Sequence, residues 1–332
     1  MPAADPLLRV RSRSPVRAQL MLILRAIEGF HIGGEVVTLS GLPVEQHRLA
    51  QGAASRSVDP NGDYVTGQMY AQVFRLATPR HATPVLFWHG GGMTGAHWES
   101  TPDGRQGWLT RFLEAGFDVI VSDAVERGRA SWSPFPHIYP GPPLVRTMNE
   151  AWEMFRIGPA DGYATDPARR VSFDGQQFPS AAFDQFARQF VPRWADHEAM
   201  TQASYDALIR HVGPCIVVSH SQGAGFALRA AQLAPHLVRA VVGLEPSGAP
   251  APCGAPLPRH LVVWGDYVHL HPVWRSYREA VDRYVGALPP GTADTLDLPG
   301  EGVAGNSHFM MLDRNSDQIA ARVIEWLRDV AT

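Results

Sequence analysis

The sequence predicts an α/β fold: a doubly wound, mostly parallel sheet with helices on both faces. Three observations predict it. Cys215-Ile216-Val217-Val218, a short apolar and mostly β-branched run, leads through Ser219-His220-Ser221-Gln222-Gly223 straight into the helix formers Phe226–Ala231. Pro84-Val85-Leu86-Phe87-Trp88 is a second buried-strand run, followed by His89-Gly90-Gly91-Gly92. Further short apolar runs, Phe117–Val121, Val241–Leu244 and Leu261–Trp264, read as later strands of the same sheet.

Taken in order, Gly34–Ser40 and Tyr70–Leu76 alternate and predict leading antiparallel strands. Residues 1–33 carry Arg9, Arg11, Arg13 and Arg17 ahead of a short apolar run that Arg25 interrupts. That segment predicts an N-terminal arm, poorly ordered or a short helix, rather than a signal peptide, which needs a longer clean apolar run. The main domain is expected over residues 34–332. Arg105–Ala115 predicts a helix closed by Gly116, and Ser316–Val330 an amphipathic C-terminal helix. About ninety residues separate Val121 from Cys215, far more than a simple βαβ crossover needs. The excess predicts a cap inserted between the fourth and fifth strands, at about residues 130–200. Near its end Phe183, Phe186, Phe190 and Trp194 recur at helical spacing, a stripe suited to packing on the body or lining a pocket.

The run around Ser221 has the layout of a nucleophile elbow, a turn so tight that only small residues fit two places either side of the serine. Ser219 stands where glycine is usual, and Gly223 keeps the pattern. The N–H of Gln222 opens a helix, where unpaired donors and the dipole favour negative charge. The His89-Gly90-Gly91-Gly92 run supplies a backbone that can approach a substrate closely, with the N–H of Gly91 as second oxyanion donor. A phosphate loop is excluded, because the chain has no lysine and no dinucleotide fingerprint. A serine hydroxyl needs an imidazole to take its proton. His308, the one histidine after His271, sits in the loop Gly302–Met311 ahead of the last helix and is the expected base. Two carboxylates compete to orient it: Glu245, at the end of Val241–Leu244, and Asp266, one residue after Gly265. Spacing does not separate them. Asp123, His97 and His137 receive no role.

These residues together resemble the α/β-hydrolase-fold serine esterases, and within them the small bacterial group typified by esterase 713. The similarity rests on Gln68-Met69-Tyr70, His89-Gly90 with Thr94-Gly95, Trp98–Arg105, Gly128-Arg129, Ser219-His220-Ser221-Gln222, Glu245-Pro246 and Gly305-Asn306-Ser307-His308. The resemblance implies a Ser-His-Glu triad of Ser221, His308 and Glu245, and hydrolysis of a carboxylic ester through an acyl-enzyme. The group's typical member has adjacent cysteines where this chain has Gly91 and Gly92, so no vicinal disulfide forms here and its substrate range is not carried over.

Composition narrows the rest. Hydrophobic content of 45% supports a sizeable core, and a formal charge of −3 gives no electrostatic affinity for nucleic acid. All 29 cationic side chains are arginine. Cys215 and Cys253 make no disulfide framework, and His269-x-His271 lacks further ligands for a metal. No cofactor is expected. The expected partner is a small-molecule ester, without nucleic acid or membrane; self-association into a homodimer stays open. The expected location is cytoplasmic, with export left open. Rival readings keep the triad but change the acceptor or bond, as in a lactonase, an acyltransferase or a carbon–carbon bond hydrolase. A further rival discards catalysis for ligand binding.

Overall fold

The computed structural model describes residues 21–330. Eight strands form one sheet: β1 (Leu24–Leu39), β4 (Gly62–Leu76), β6 (Val119–Asp123), β5 (Val85–Trp88), β7 (Cys215–His220), β8 (Val238–Leu244), β9 (Arg259–Trp264) and β10 (Ala293–Asp297), in that spatial order. β1 pairs antiparallel with β4, and β4 with β6; from β6 to β10 every pairing is parallel. A small separate hairpin, β2 (Glu45–His47) and β3 (Arg56–Val58), interrupts the numbering, so the fourth and fifth predicted strands are β6 and β7.

The N-terminal expectation needs correcting. Leu24–Gly33 belong to β1, neither a loose arm nor a helix, and pair with β4 from Leu24 opposite Leu76 onward. Residues 1–20 of that expected arm lie outside the described residues.

The central strands are continuous apolar runs because helices cover both faces. Alternate side chains still serve different layers. Val85, Phe87, Ile216 and Val218 join one core; Leu86, Trp88, Cys215 and Val217 join the other. The first core is closed by α1 (Trp108–Glu114) and α7 (Ser316–Val330), and the second by α4 (Glu198–Val212) and α5 (Gln222–Leu233). α7 presents Ile319, Val323 and Leu327, all buried, at one-turn spacing. α6 (Pro272–Gly286) lies between β9 and β10, with Val281 and Tyr284 buried.

Between β6 and α4 the chain holds only short helices, α2 (Met148–Met154) and α3 (Phe183–Ala187), joined by irregular segments. Thr147 caps α2 by accepting from the N–H of Glu150 at 3.2 Å. Trp152, Phe155, Phe178, Phe183 and Phe186 are buried in the same core as Phe309–Leu312. The insertion therefore carries the loop of His308 on shared apolar packing.

Candidate active site

The strand order reverses beside β5: β6 lies on one side and β7 on the other. The carboxyl ends of parallel strands around such a switch point form a crevice. Register brings the ends into line there, with Trp88 opposite Ser219, His220 opposite Leu244, and Leu244 opposite Val263. The residues that follow these strands, His89-Gly90-Gly91, Ser221, Glu245 and Gly265, are thereby set side by side.

Ser221 turns the chain from β7 into α5 with φ 54° and ψ −118°, a region costly for any residue with a Cβ. The turn is held by Ser221 N–H donating to the carbonyl of Leu244 at 2.9 Å, and by Ser247 N–H donating to the carbonyl of Ser221 at 3.2 Å. A Cβ on Gly223 would lie 2.5 Å from the carbonyl oxygen of His89, so this place requires glycine. Ser219, the departure from the usual pattern, is fully buried and donates its hydroxyl to the carbonyl of Val242 at 2.8 Å. The extra oxygen is satisfied rather than stranded.

The glycine loop is equally constrained. A Cβ on Gly90 would meet Nδ1 of His220 at 2.8 Å, and one on Gly91 would meet a guanidinium nitrogen of Arg193 at 2.6 Å and Oε1 of Gln222 at 2.9 Å. His89 anchors the loop's base: its Nε2 accepts from the N–H of Ala124 at 2.9 Å, and Nδ1 faces the carbonyl of Gly90 at 2.8 Å. Burial pushes this imidazole down to about 4, so it stays a neutral bridge between the ends of β5 and β6. Asp123, at the end of β6, accepts from the N–H of Gly95 at 2.8 Å and pairs with Arg129, which accounts for the Thr94-Gly95 and Gly128-Arg129 blocks.

Glu245 is fully buried at φ 46°. One carboxylate oxygen accepts from Nδ1 of His308 at 2.6 Å; the other accepts from the N–H of Gly265 at 2.8 Å and from Arg156. Gly265 has to lack a side chain, since a Cβ would sit 2.7 Å from that second oxygen. Asp266 goes elsewhere: its carboxylate accepts from the N–H groups of Tyr267 (2.7 Å) and Gly305 (2.9 Å), capping the turn. The structure thus brings Glu245, and not Asp266, to His308.

The His308 loop is fixed from several sides. Its N–H donates to the carbonyl of Phe155 at 3.0 Å, and its carbonyl accepts from Nε2 of His220 at 2.9 Å. Buried Asp313 accepts from Ser307 N–H, Ser307 Oγ and Asn306 Nδ2. Arg105, in the block Trp98–Arg105, donates to the carbonyls of Leu312 and Asp313. The ring of Trp274 is 4.0 Å from the imidazole, centroid to centroid, and that of Phe155 is 5.6 Å away. Burial, followed by the nearby cations of Arg156 and Arg146, holds the imidazole well below its ordinary range. It is therefore neutral at neutral pH.

Ser221, Gln222, Gly91 and His308 line one cavity of about 170 Å³. Of the aromatic stripe, neither Phe183, Phe186, Phe190 nor Trp194 lines it; Phe155, Trp274, Tyr277 and Phe309 do. Arg156 was absent from the sequence reading. It is 1% exposed, donates to Glu245 and to the carbonyl of Asp266, and lies over Trp274. No local signal marks it; a non-glycine φ of 55° emerges only in three dimensions. Among the described residues no group of three or more His, Cys, Asp or Glu is placed to hold a metal, and no helix is long and apolar enough to cross a membrane. Cys215 and Cys253 are free thiols.

No family model matches the chain. It is 25% identical over 338 residues to the probable secreted lipase phiG of Fungal sp. (strain ATCC 74256), covering 80% of this chain and 87% of the relative. It superposes on a novel bacterial esterase of known atomic-resolution structure with a TM-score of 0.79 and 28% identity, covering 97% of this chain and all of the other.

Proposed function

We propose that this chain, a carboxylic ester hydrolase of the α/β-hydrolase fold, works through a Ser-His-Glu triad of Ser221, His308 and Glu245. The observation that carries the proposal is the buried contact of 2.6 Å between His308 Nδ1 and Glu245, in the same site as the strained serine turn. Ser221 Oγ attacks the ester carbonyl as His308 Nε2 takes its proton. The N–H groups of Gly91 and Gln222 hold the oxyanion, each such donor contributing about 2.7–4 kcal/mol to barrier lowering. His308 returns the proton to the leaving alcohol, and water attacks the acyl-enzyme by the same route. Glu245 keeps the Nδ1–H tautomer and stabilises the imidazolium; Arg156 and Gly265 N–H fix the carboxylate.

The fungal relative is called secreted, so export stands beside the cytoplasmic location expected from the N-terminal segment.

A pH profile of kcat/KM on 4-nitrophenyl butyrate tests the proposal. The active base is neutral His308, so activity falls as pH drops through its pKa. That pKa lies below the ordinary ~6.5 of imidazole because burial and two guanidiniums disfavour the cation. An acid limb centred below pH 6.5 is expected. An acid limb centred at or above 6.5, or no turnover of this ester at any pH, contradicts it.

A further inference from the structure

The cavity at Ser221 contains two guanidiniums that ester hydrolysis does not require. Arg146 and Arg193 both line it, and both also line an adjoining cavity of about 250 Å³ with Gly92, Leu144, Val145, Glu150 and Val191. They are held in place by backbone. Leu144 and Arg193 exchange hydrogen bonds at 2.7 and 3.0 Å, joining the two arginine-bearing segments. Val191 N–H donates to the carbonyl of Gly92 at 3.0 Å, tying the second segment to the glycine loop. The guanidinium of Arg193 lies against that loop, 2.6 Å from where a Cβ on Gly91 would be.

The charges are unevenly satisfied. Arg146, with 12% side-chain exposure, pairs with Glu150 at 2.5 Å and lies over the ring of Phe155. Arg193 has no carboxylate within 4.0 Å among the described residues, although exposed Glu198 lines the same cavity. Two like charges in one partly enclosed site repel, and each disfavours the other's desolvation. The planar fork of an unpaired arginine matches a carboxylate in two parallel hydrogen bonds.

We propose that Arg193, with Arg146 beside it, binds a carboxylate on the substrate, so that preferred substrates are esters carrying a second, anionic group a few bonds from the scissile carbonyl. This rests on the hydrolase reading above and names its substrate class. The anion can belong to the acyl part, as in a monoester of a dicarboxylic acid, or to the alcohol part.

The test compares kcat/KM within two pairs of esters, with the uncatalysed rate subtracted. For the acyl side the pair is 4-nitrophenyl hemiglutarate and 4-nitrophenyl valerate; for the alcohol side it is 4-acetoxybenzoate and 4-methylphenyl acetate. In at least one pair the anionic ester is preferred by the wild-type enzyme. That preference falls about ten- to a hundred-fold in Arg193→Gln, the range for a hydrogen bond to a charged group. A readout needing no variant is salt: raising NaCl from 20 to 500 mM lowers kcat/KM for the preferred anionic ester and spares its neutral partner. No anionic preference in either pair, or a preference unmoved by both Arg193→Gln and salt, overturns the inference while neutral-ester turnover leaves the hydrolase reading standing. If none of the four esters is hydrolysed, that reading fails and the inference falls with it.

Discussion

Replacing Ser221 by Ala is expected to lower kcat on a simple ester by about 10⁵–10⁶-fold, the scale seen when a triad loses its nucleophile. The fold should survive. The turn's hydrogen bonds are made by backbone, Ser221 N–H to Leu244 and Ser221 C=O to Ser247. The positive φ is already accommodated by a residue with a Cβ. Residual activity over water remains, because Gly91 and Gln222 still offer their N–H groups. Single-turnover kinetics and circular dichroism check both halves: a variant that is folded yet within tenfold of wild type contradicts the assignment.

Glu245→Gln is expected to cost about 10³–10⁴-fold in kcat, because an amide can hold His308 in the wrong tautomer and cannot stabilise the imidazolium. It also affects stability, unlike the serine change. Arg156 is 1% exposed and pairs with Glu245; one of its terminal nitrogens already lacks a partner. Removing the carboxylate leaves a buried, uncompensated cation, a loss on the order of 3–5 kcal/mol. Urea unfolding should therefore show a lower midpoint for Glu245→Gln. Asp266→Asn is the control. It retains an acceptor oxygen for the Gly305 or Tyr267 N–H and does not touch His308, so its kcat should stay within about tenfold of wild type. The reverse order of effects assigns the acid to Asp266.

What could be read from the sequence follows from what is local. Cys215–Val218 and Val85–Trp88 are apolar on both faces, so their strands and the turns after them are visible without long-range knowledge. The amphipathic rhythm of Ser316–Val330 marks its helix in the same way. β1 was obscured because it is an edge strand with few buried positions: Arg25, Glu28 and Gly29 break the apolar alternation before Gly34. The choice between Glu245 and Asp266 is not a property of either segment. It depends on β8 and β9 lying side by side, which aims Gly265 N–H at Glu245 while Asp266 turns toward Gly305. Arg156, Phe155 and Trp274 surround His308 and its carboxylate from two distant segments, and nothing in those segments signals the convergence. The aromatic stripe of Phe183 and Phe186 had the periodicity of a buried face; its side chains went to the core, and the pocket took Phe155 and Phe309.

The proposed mechanism makes Ser221 Oγ the one nucleophile, and a fluorophosphonate probe reads that oxygen directly. Wild-type protein treated with the probe, digested and mapped by mass spectrometry should carry a single adduct on Ser221, with loss of ester turnover in step with labelling. An adduct on another residue, or a folded enzyme that hydrolyses esters while Ser221 stays unmodified under excess probe, contradicts the account.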